Sequence, residues 1–311
     1  MGRALFGYTV VNLGCKVNRV EADGFERLLA ERGGVPVGEA AADLIVVNTC
    51  TVTGEAEKKT RKAVRHALST NDGARVVVTG CASELSSETF AAMDDRVVVV
   101  PKAGADLYLS ELEMSGRAPC ETPESFPASP ADGRTRIGIK VQDGCDNACT
   151  YCIVHVARGR ATSRAADGVV RECAEYARAG AGEIVLTGIN LGSYCDGARR
   201  DPSATRLAGL LRRLLDATAD LHAPGAFPVR FRISSIEPRD VDDALVDVLA
   251  TAEGRVCRQV HLPLQAGSDA VLHAMARPYR CADYVALVDR LRAACPSLSL
   301  STDVIVGFPG E

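Results

Sequence analysis

Runs of β-branched residues alternate along the chain with stretches of helical period. "YTVVNLG" (8–14), "DLIVVNT" (43–49), "ARVVVTG" (74–80) and "RVVVVP" (96–101) read as strands. The middle ones are apolar enough to be buried on both faces. Between the first two lies "EADGFERLLAERGG" (21–34), with Phe25, Leu28 and Leu29 at helical spacing and a closing glycine pair. "EAEKKTRKAVRHALS" (55–69) fills the next gap. This order predicts a parallel sheet covered by helices.

From 117 to 135 the periodicity stops, and "RAPCETPESFPASPADGRT" carries four prolines. It reads as a linker between a domain at 1–116 and a second at 136–311. The second series has strand candidates at 136–144, 183–190, 229–238, 257–265 and 298–308. Helical stretches separate them. Val169, Val170, Cys173 and Ala177 mark one, and Leu207, Leu210, Leu211, Leu214 and Leu215 the next. Ala244, Leu245, Val248 and Leu249 mark a third, and Val285, Val288 and Leu291 a fourth. Five strand–helix steps predict a barrel or partial barrel, with its chemistry at the carboxyl ends of the strands. The text stops at "GFPGE", so this barrel is expected to be incomplete at its C-terminus.

Composition adds limits. A chain of 311 residues that is 47% apolar is long enough for two cored domains. The net charge of −4 gives no global pull toward nucleic acid, so any such contact needs a local patch. Lys58, Lys59, Arg61, Lys62 and Arg65 form one candidate; a solvated helix face is the other reading of it. No signal peptide or membrane-length apolar run is visible, so a soluble cytoplasmic protein is expected, its twelve cysteines reduced.

Those cysteines carry the chemistry. In "QDGCDNACTYC", Cys145, Cys149 and Cys152 crowd a polar loop after the first strand of the second series. Three thiolates can each hold one iron of a [4Fe–4S] cube and leave the fourth iron open. A zinc site with His155 as fourth ligand is the competing assignment, although C-x3-C-x2-C is not among the common zinc spacings. In the first series Cys15, Cys50 and Cys81 each follow a strand candidate. In an open α/β sheet those carboxyl ends share an edge, so the three thiols should converge. A second cluster with one exposed iron is the functional reading, and simple burial the other.

The cysteine loop resembles that of the radical S-adenosylmethionine (SAM) superfamily. With the second triad, the chain resembles the methylthiotransferases of that superfamily along its whole length. The resemblance rests on "NLGCKVNRVEAD" (12–23), "VVNTCTVTGEAEKKTRK" (46–62), "VVVTGCASEL" (76–85) and "QDGCDNACTYCIVHVARGRATSR" (142–164). It continues through "RISSIEP" (232–238), "HLPLQAGSD" (261–269) and "TDVIVGFPGE" (302–311). It implies an α/β fold, with an N-terminal parallel α/β domain followed by a partial (βα) radical SAM barrel. It also implies two [4Fe–4S] clusters and SAM as cofactors. Cys145, Cys149 and Cys152 would be the catalytic cluster ligands, and Cys15, Cys50 and Cys81 the ligands of the second cluster. SAM would chelate the open iron and be cleaved to a 5′-deoxyadenosyl radical, with Tyr151 near its adenine.

"LGCKVN", "RISSIEP" and "HLPLQAGSD" look most like the branch acting on N6-threonylcarbamoyladenosine at position 37 of tRNA. The same chemistry on isopentenyladenosine or on a ribosomal-protein aspartate is the alternative. A non-catalytic iron–sulfur or zinc protein is the alternative of a different class. Expected partners are the tRNA anticodon loop and an electron donor such as flavodoxin or ferredoxin; the sulfur donor is not identified, and no membrane is expected. Barrel geometry assigns Gly188, Asn190, Ser234, Glu237, His261 and Gln265, at strand ends two to four, to the cofactor pocket, with satisfaction of buried polar groups as the other reading for some of them. Arg158, Arg160 and Arg164 are candidates for phosphate or substrate contacts. Relatives commonly carry proline where this chain has His155, and they continue past "GFPGE" into a small RNA-contacting β domain.

Overall fold

The computed structural model describes residues 6–50, 54–114, 136–222, 227–252 and 254–311. It divides into two compact units, residues 1–126 with Val156–Arg158, and residues 127–155 with 159–311. The expected linker at 117–135 lies outside the described residues.

The first unit runs β1 (Phe6–Asn12), α1 (Lys16–Glu31), β2 (Gly34–Pro36), β3 (Leu44–Thr49), α2 (Gly54–Thr70) and β4 (Arg75–Gly80). It continues through α3 (Cys81–Leu85), α4 (Ser87–Ala91), β5 (Val97–Val99) and α5 (Ala105–Glu111). The five strands form one parallel sheet in the order β2-β1-β3-β4-β5. Strand β3 is buried at all six positions. Leu44 and Val46 pack with Phe25, Leu29 and Leu109, whereas Ile45 and Val47 pack with Val64, Ala67 and Phe90. Alternate residues thus feed two cores, the mark of a doubly wound sheet.

Two expectations shift here. Helix α1 starts at Lys16, ahead of the periodic stretch at 21–34, and ends at Glu31. Of the glycine pair, Gly33 takes φ +83° and Gly34 opens β2, an edge strand whose Pro36 needs no ladder donor.

The second unit begins with β6 (Arg136–Lys140), β7 (Gln142–Asp143), α6 (Val154–Arg158, its last three residues counted with the first unit), β8 (Thr162–Ser163), α7 (Ala166–Arg178) and β9 (Glu183–Thr187). Next come β10 (Cys195–Asp196), β11 (Thr205–Arg206), α8 (Leu207–Ala217), β12 (Arg230–Ile233) and α9 (Asp243–Thr251). It closes with β13 (Gln259–His261), α10 (Asp269–Ala274), α11 (Cys281–Ala294) and β14 (Ser299–Ser301).

Strands β6, β9 and β12 pair in parallel, the bridge Phe231–Val256 extends the series, and β13 pairs in parallel with β14. Five parallel strands in chain order are what a partial (βα) barrel requires. Ile139, Leu186, Phe231 and Val260 meet Leu211, Leu214, Leu245, Leu249 and Leu291 from the helices in one core. Val285, one of the residues whose spacing marked the helix now seen as α11, is 56% exposed. No helix among the described residues is long and apolar enough to cross a membrane.

Candidate functional site

In the second unit the chain leaves β7 through Gly144, whose φ of +68° turns it into the cysteine loop. A Cβ there would stand 2.0 Å from the carbonyl oxygen of Arg160, so only glycine fits. The turn is closed by the backbone N–H of Cys145 donating to Gly159 O at 3.0 Å. Buried Gln142 ties the turn to the end of β9. Its Nε2 donates to Asp143 O and Gly144 O, each at 2.7 Å, and its Oε1 accepts from the backbone N–H of Asn190 at 2.8 Å. Gly188 lets that side chain pass, since a Cβ would lie 2.8 Å from Gln142 Oε1.

The three loop thiols are mutual electrostatic neighbours. Burial pushes the Cys145 thiol up, against the backbone N–H of Asn147, and charge on Cys149 or Cys152 adds to the rise. Burial likewise raises Cys152 and, more strongly, the Tyr151 phenol. Donors already address the sulfurs, the Val154 N–H among them at Cys152. The Asn147 N–H reaches Cys145 Sγ at 3.4 Å, and Arg277 Nη1 reaches Cys149 Sγ at 3.1 Å.

Among the described residues no three His, Cys, Asp or Glu side chains converge on one ion position. The zinc assignment therefore finds no assembled ligand set, and His155 Nδ1 is buried without a hydrogen-bond partner. A cube takes one thiolate per iron at separate corners and does not need such convergence. Asn190 Oδ1 and Ser234 Oγ are also buried without a partner in the protein, as polar atoms reserved for a ligand would be. The loop thiols and these orphan atoms fit a cluster with SAM.

The remaining pocket candidates fall into two groups. Glu237 is paired with Arg277 and lies within electrostatic reach of Cys145, Cys152 and Tyr151. His261 and Gln265 meet on Asp303 instead. His261 Nε2 is 3.3 Å from Asp303 Oδ2, and the Gln265 N–H donates to Asp303 O at 2.9 Å, with Gln265 at φ +72°.

In the first unit Cys15 caps α1, Cys50 follows β3 and Cys81 opens α3 after β4. The strand order 2-1-3-4-5 reverses direction between β1 and β3, and the crevice at such a reversal is where doubly wound sheets bind ligands. Asn18 organises it. Its Nδ2 donates to Asn48 Oδ1 at 3.1 Å and Thr49 O at 2.8 Å, while Asn48 Nδ2 donates back to Asn18 O at 2.8 Å. Asn18 Oδ1 accepts from the Cys15 thiol at 3.3 Å. Thr49 Oγ1 donates to Thr79 O at 2.7 Å and accepts from the Ala82 N–H at 3.0 Å, which joins the Cys50 and Cys81 strand ends. Gly80, at φ +96°, leaves room for Asn48 and Thr49. Arg158 completes the set, with Nε on Cys81 Sγ at 3.1 Å, Nη2 on Asn18 Oδ1 at 3.0 Å and Nη1 on Glu21 at 3.0 Å. Burial pushes the Cys81 thiol up although Arg158 opposes it, and Cys50 lies close enough to add to the rise. Two buried thiols, Cys50 and Cys81, with the exposed Cys15 at the mouth and one cation beside them fit a second cluster.

Of the three arginines expected to make phosphate or substrate contacts, only Arg158 is withdrawn from the surface; Arg160 and Arg164 stay exposed. Arg158 is buried on Glu21, Arg160 pairs with Asp146, and Arg164 pairs with Glu172. In the basic stretch on α2, Lys58, Lys59, Lys62 and Arg65 are exposed and Arg61 pairs with Glu57. Sequence reasoning missed Asn18, Asn48, Gln142 and Arg277. The signal for the first two was a polar residue beside each cysteine motif, in "CKVN" and "VVNTC". For Arg277, distant in sequence from any cysteine motif, there was none.

A family model described as the radical SAM superfamily matches residues 139–311, and one described as uncharacterized protein family UPF0004 matches residues 7–101. A Chlamydia pneumoniae protein named threonylcarbamoyladenosine tRNA methylthiotransferase MtaB is 37% identical over 306 residues, covering 98% of this chain and 68% of that protein. A Bacillus subtilis protein of the same name is 34% identical, covering 96% of this chain and 66% of that protein. An Anaeromyxobacter sp. (strain K) protein named tRNA-2-methylthio-N(6)-dimethylallyladenosine synthase is 37% identical, covering 97% and 65%. The chain thus spans about two thirds of the length of these relatives.

Two solved structures share the fold. The cobalamin-dependent SAM radical enzyme OxsB, with aqua-cobalamin and SAM bound, has a TM-score of 0.64 at 12% identity, covering 97% of this chain and 49% of that one. The radical SAM methyltransferase TsrM from Kitasatospora setae, with cobalamin and a [4Fe–4S] cluster bound, has a TM-score of 0.60 at 17% identity, covering 98% and 69%. Matched over nearly its whole length by methylthiotransferases 34–37% identical to it, and over residues 139–311 by the superfamily model, the chain belongs to the methylthiotransferase family of radical SAM enzymes.

Proposed function

We propose that this chain, in the cytoplasm, adds a methylthio group to C2 of N6-threonylcarbamoyladenosine at position 37 of tRNA, using two [4Fe–4S] clusters and SAM. The observation that carries the reading is the pair of three-cysteine sets, one at the carboxyl ends of the parallel strands β1, β3 and β4 and the other on the loop that follows β6 and β7. A C–H bond on an electron-poor adenine ring resists polar substitution; SAM bound to a reduced cluster supplies the radical chemistry that breaks it. Cys145, Cys149 and Cys152 would hold three irons and leave one open for SAM. Asn190 Oδ1 and Ser234 Oγ, buried and unpartnered in the protein, would turn to SAM for their hydrogen bonds. Tyr151, Gly188, Glu237, His261 and Gln265 would line the same pocket.

Cys15, Cys50 and Cys81 would hold the second cluster, where sulfur is kept or donated, and a second SAM would supply the methyl group. The exposed cations of α2 would meet anticodon-stem phosphates, and a flavodoxin or ferredoxin would supply electrons. The test is deletion of the encoding gene, followed by mass spectrometry of tRNA nucleosides. The 2-methylthio derivative of threonylcarbamoyladenosine should vanish while its precursor accumulates. The gene should restore it, and its Cys145→Ala form should not. Loss of the isopentenyladenosine derivative instead would favour the branch of the Anaeromyxobacter relative. Loss of neither would refute the reading.

A further inference from the structure

Arg277 follows α10 in a segment that grips the cysteine loop. The Thr150 N–H donates to Met275 O at 3.2 Å, and Thr150 Oγ1 donates to Ala274 O at 3.0 Å. Ala276, at φ +56°, turns the chain so that the next side chain points inward. That side chain is 2% exposed, and each of its nitrogens is engaged. Nη1 donates to Cys149 Sγ at 3.1 Å, Nη2 pairs with Glu237, and Nε donates to Tyr279 Oη at 3.2 Å. The guanidinium carbon stands 5.2 Å from the centre of the Tyr279 ring. Tyr279 Oη in turn reaches Pro263 O at 2.9 Å and Leu264 O at 3.0 Å, which fixes the assembly to the loop after β13.

Burying an ion pair this way costs desolvation energy that an apolar packing would avoid. Its contact with a ligand sulfur supplies a reason to keep it. Hydrogen bonds and charge at a cluster's sulfurs set its reduction potential. Going from [4Fe–4S]2+ to [4Fe–4S]+ adds one electron from a low-potential donor and breaks no bond, so the change to be stabilised is one negative charge. A cation donating to Cys149 Sγ favours the reduced form, and the carboxylate beside it opposes this.

We infer that Arg277 is a positioning residue that orients Cys149 Sγ and raises the reduction potential of the loop's cluster, with Glu237 as its counterweight. This rests on reading Cys145, Cys149 and Cys152 as cluster ligands. It predicts shifts of opposite sign. Removing the cation lowers the potential, and neutralising the carboxylate raises it.

The test uses the full chain in a Cys15→Ser/Cys50→Ser/Cys81→Ser background, reconstituted anaerobically and titrated with dithionite under electron paramagnetic resonance. Iron and sulfide are measured first. A background protein that takes up no cluster overturns the reading of the triad itself, and with it this inference. With cluster present, Arg277→Met should lower the reduced-to-oxidised ratio at fixed potential about tenfold, equivalent to about 59 mV for one electron. Glu237→Gln should move it the other way, and Arg277→Lys, which keeps the charge but not the fork, should recover part of the loss. If Arg277→Met fails to fold or load, the other two variants decide. Unchanged potentials and spectra in variants that load fully, or shifts of one sign for both partners, overturn the inference.

Discussion

Replacing Gly144 by alanine places a methyl group against backbone that cannot move aside. The nearest atoms would be Arg160 O at 2.0 Å, Arg160 C at 2.6 Å and Gly159 O at 2.8 Å. The residue must also hold φ at +68°, where a side chain costs about 1–2 kcal/mol. Relief of the clash adds about 1–3 kcal/mol, the usual range for overpacking. The simplest escape, opening the bond from the Cys145 N–H to Gly159 O, itself loses roughly 1 kcal/mol. Gly144→Ala should therefore destabilise by about 2–5 kcal/mol, a large share of the roughly 5–15 kcal/mol that holds a domain together. Because Cys145 is the next residue, iron binding by the loop should fall with it. Urea unfolding followed by circular dichroism reads the first effect, and iron analysis after anaerobic reconstitution reads the second. Gly168→Ala is the control. It lies in α7 with no atom within 4 Å of a Cβ, so alanine should be neutral or stabilise by up to about 1 kcal/mol. A Gly144→Ala protein within about 0.5 kcal/mol of the parent, with full iron at the loop, would refute the reasoning.

Asn18→Ala strips partners from Asn48, Thr49 and Arg158 together; at about 1–3 kcal/mol per buried group left unsatisfied, unfolding should be easier by at least about 2 kcal/mol, and iron per chain should fall toward half. Glu183 titrates low: burial pushes it up, but the hydrogen bond and charge of Arg232, with Arg136, more than offset this. The unfolded chain then takes the proton first, so this contribution is present above the ordinary glutamate range and lost as pH falls through the lowered folded value. Glu183→Gln should lower the urea midpoint at neutral pH and flatten its decline toward acid. Cys173 is fully buried, with burial as the main cause of a thiol pushed up to about 12. In mass-mapped maleimide labelling of the iron-free chain at neutral pH, it should react only once urea unfolds the protein, whereas exposed Cys15 should label in the native state.

The parallel sheet of the first unit was legible because β3 and β4 are runs of β-branched residues with no polar alternation, and only strands buried on both faces read that way. The start of α1 was not. Its inner face is Val17, Asn18, Ala22, Phe25 and Leu29, and the asparagine interrupts the apolar period where the helix turns from core packing to holding the crevice. The barrel helices were read from leucines that do enter the core, although Val285 shows that period alone does not decide which face is covered. Of the candidate site, the cysteines' placement after strands was readable, since it needs only chain order and strand ends. The charged residues were not. Arg158 and Arg277 are buried by partners from segments far off in sequence, and sequence pattern treats an arginine as surface unless something names its partner.

The two triads gather three thiols in opposite ways, and their surroundings differ for that reason. Cys145, Cys149 and Cys152 fall within eight residues, so bringing them together closes loops of a few residues. Cys15, Cys50 and Cys81 are separated by 35 and 31 residues; closing such a segment costs roughly 2 kcal/mol more than closing one of three or four. The fold meets that cost before any ligand arrives, since the parallel register sets Asn12 beside Asn48 and Thr49 beside Gly80. What remains is to hold three strand ends against one another, and neutral hydrogen bonds of Asn18, Asn48 and Thr49 do this across the sheet edge. The loop triad has the converse problem. Its thiols are close by connectivity, but a short polar loop has many conformations, so it is pinned from outside by Gln142, by the 274–277 segment and by Arg277 on a sulfur. The polar residues buried around each triad therefore supply what its covalent arrangement lacks: cross-strand adhesion in one case, orientation of a single loop in the other.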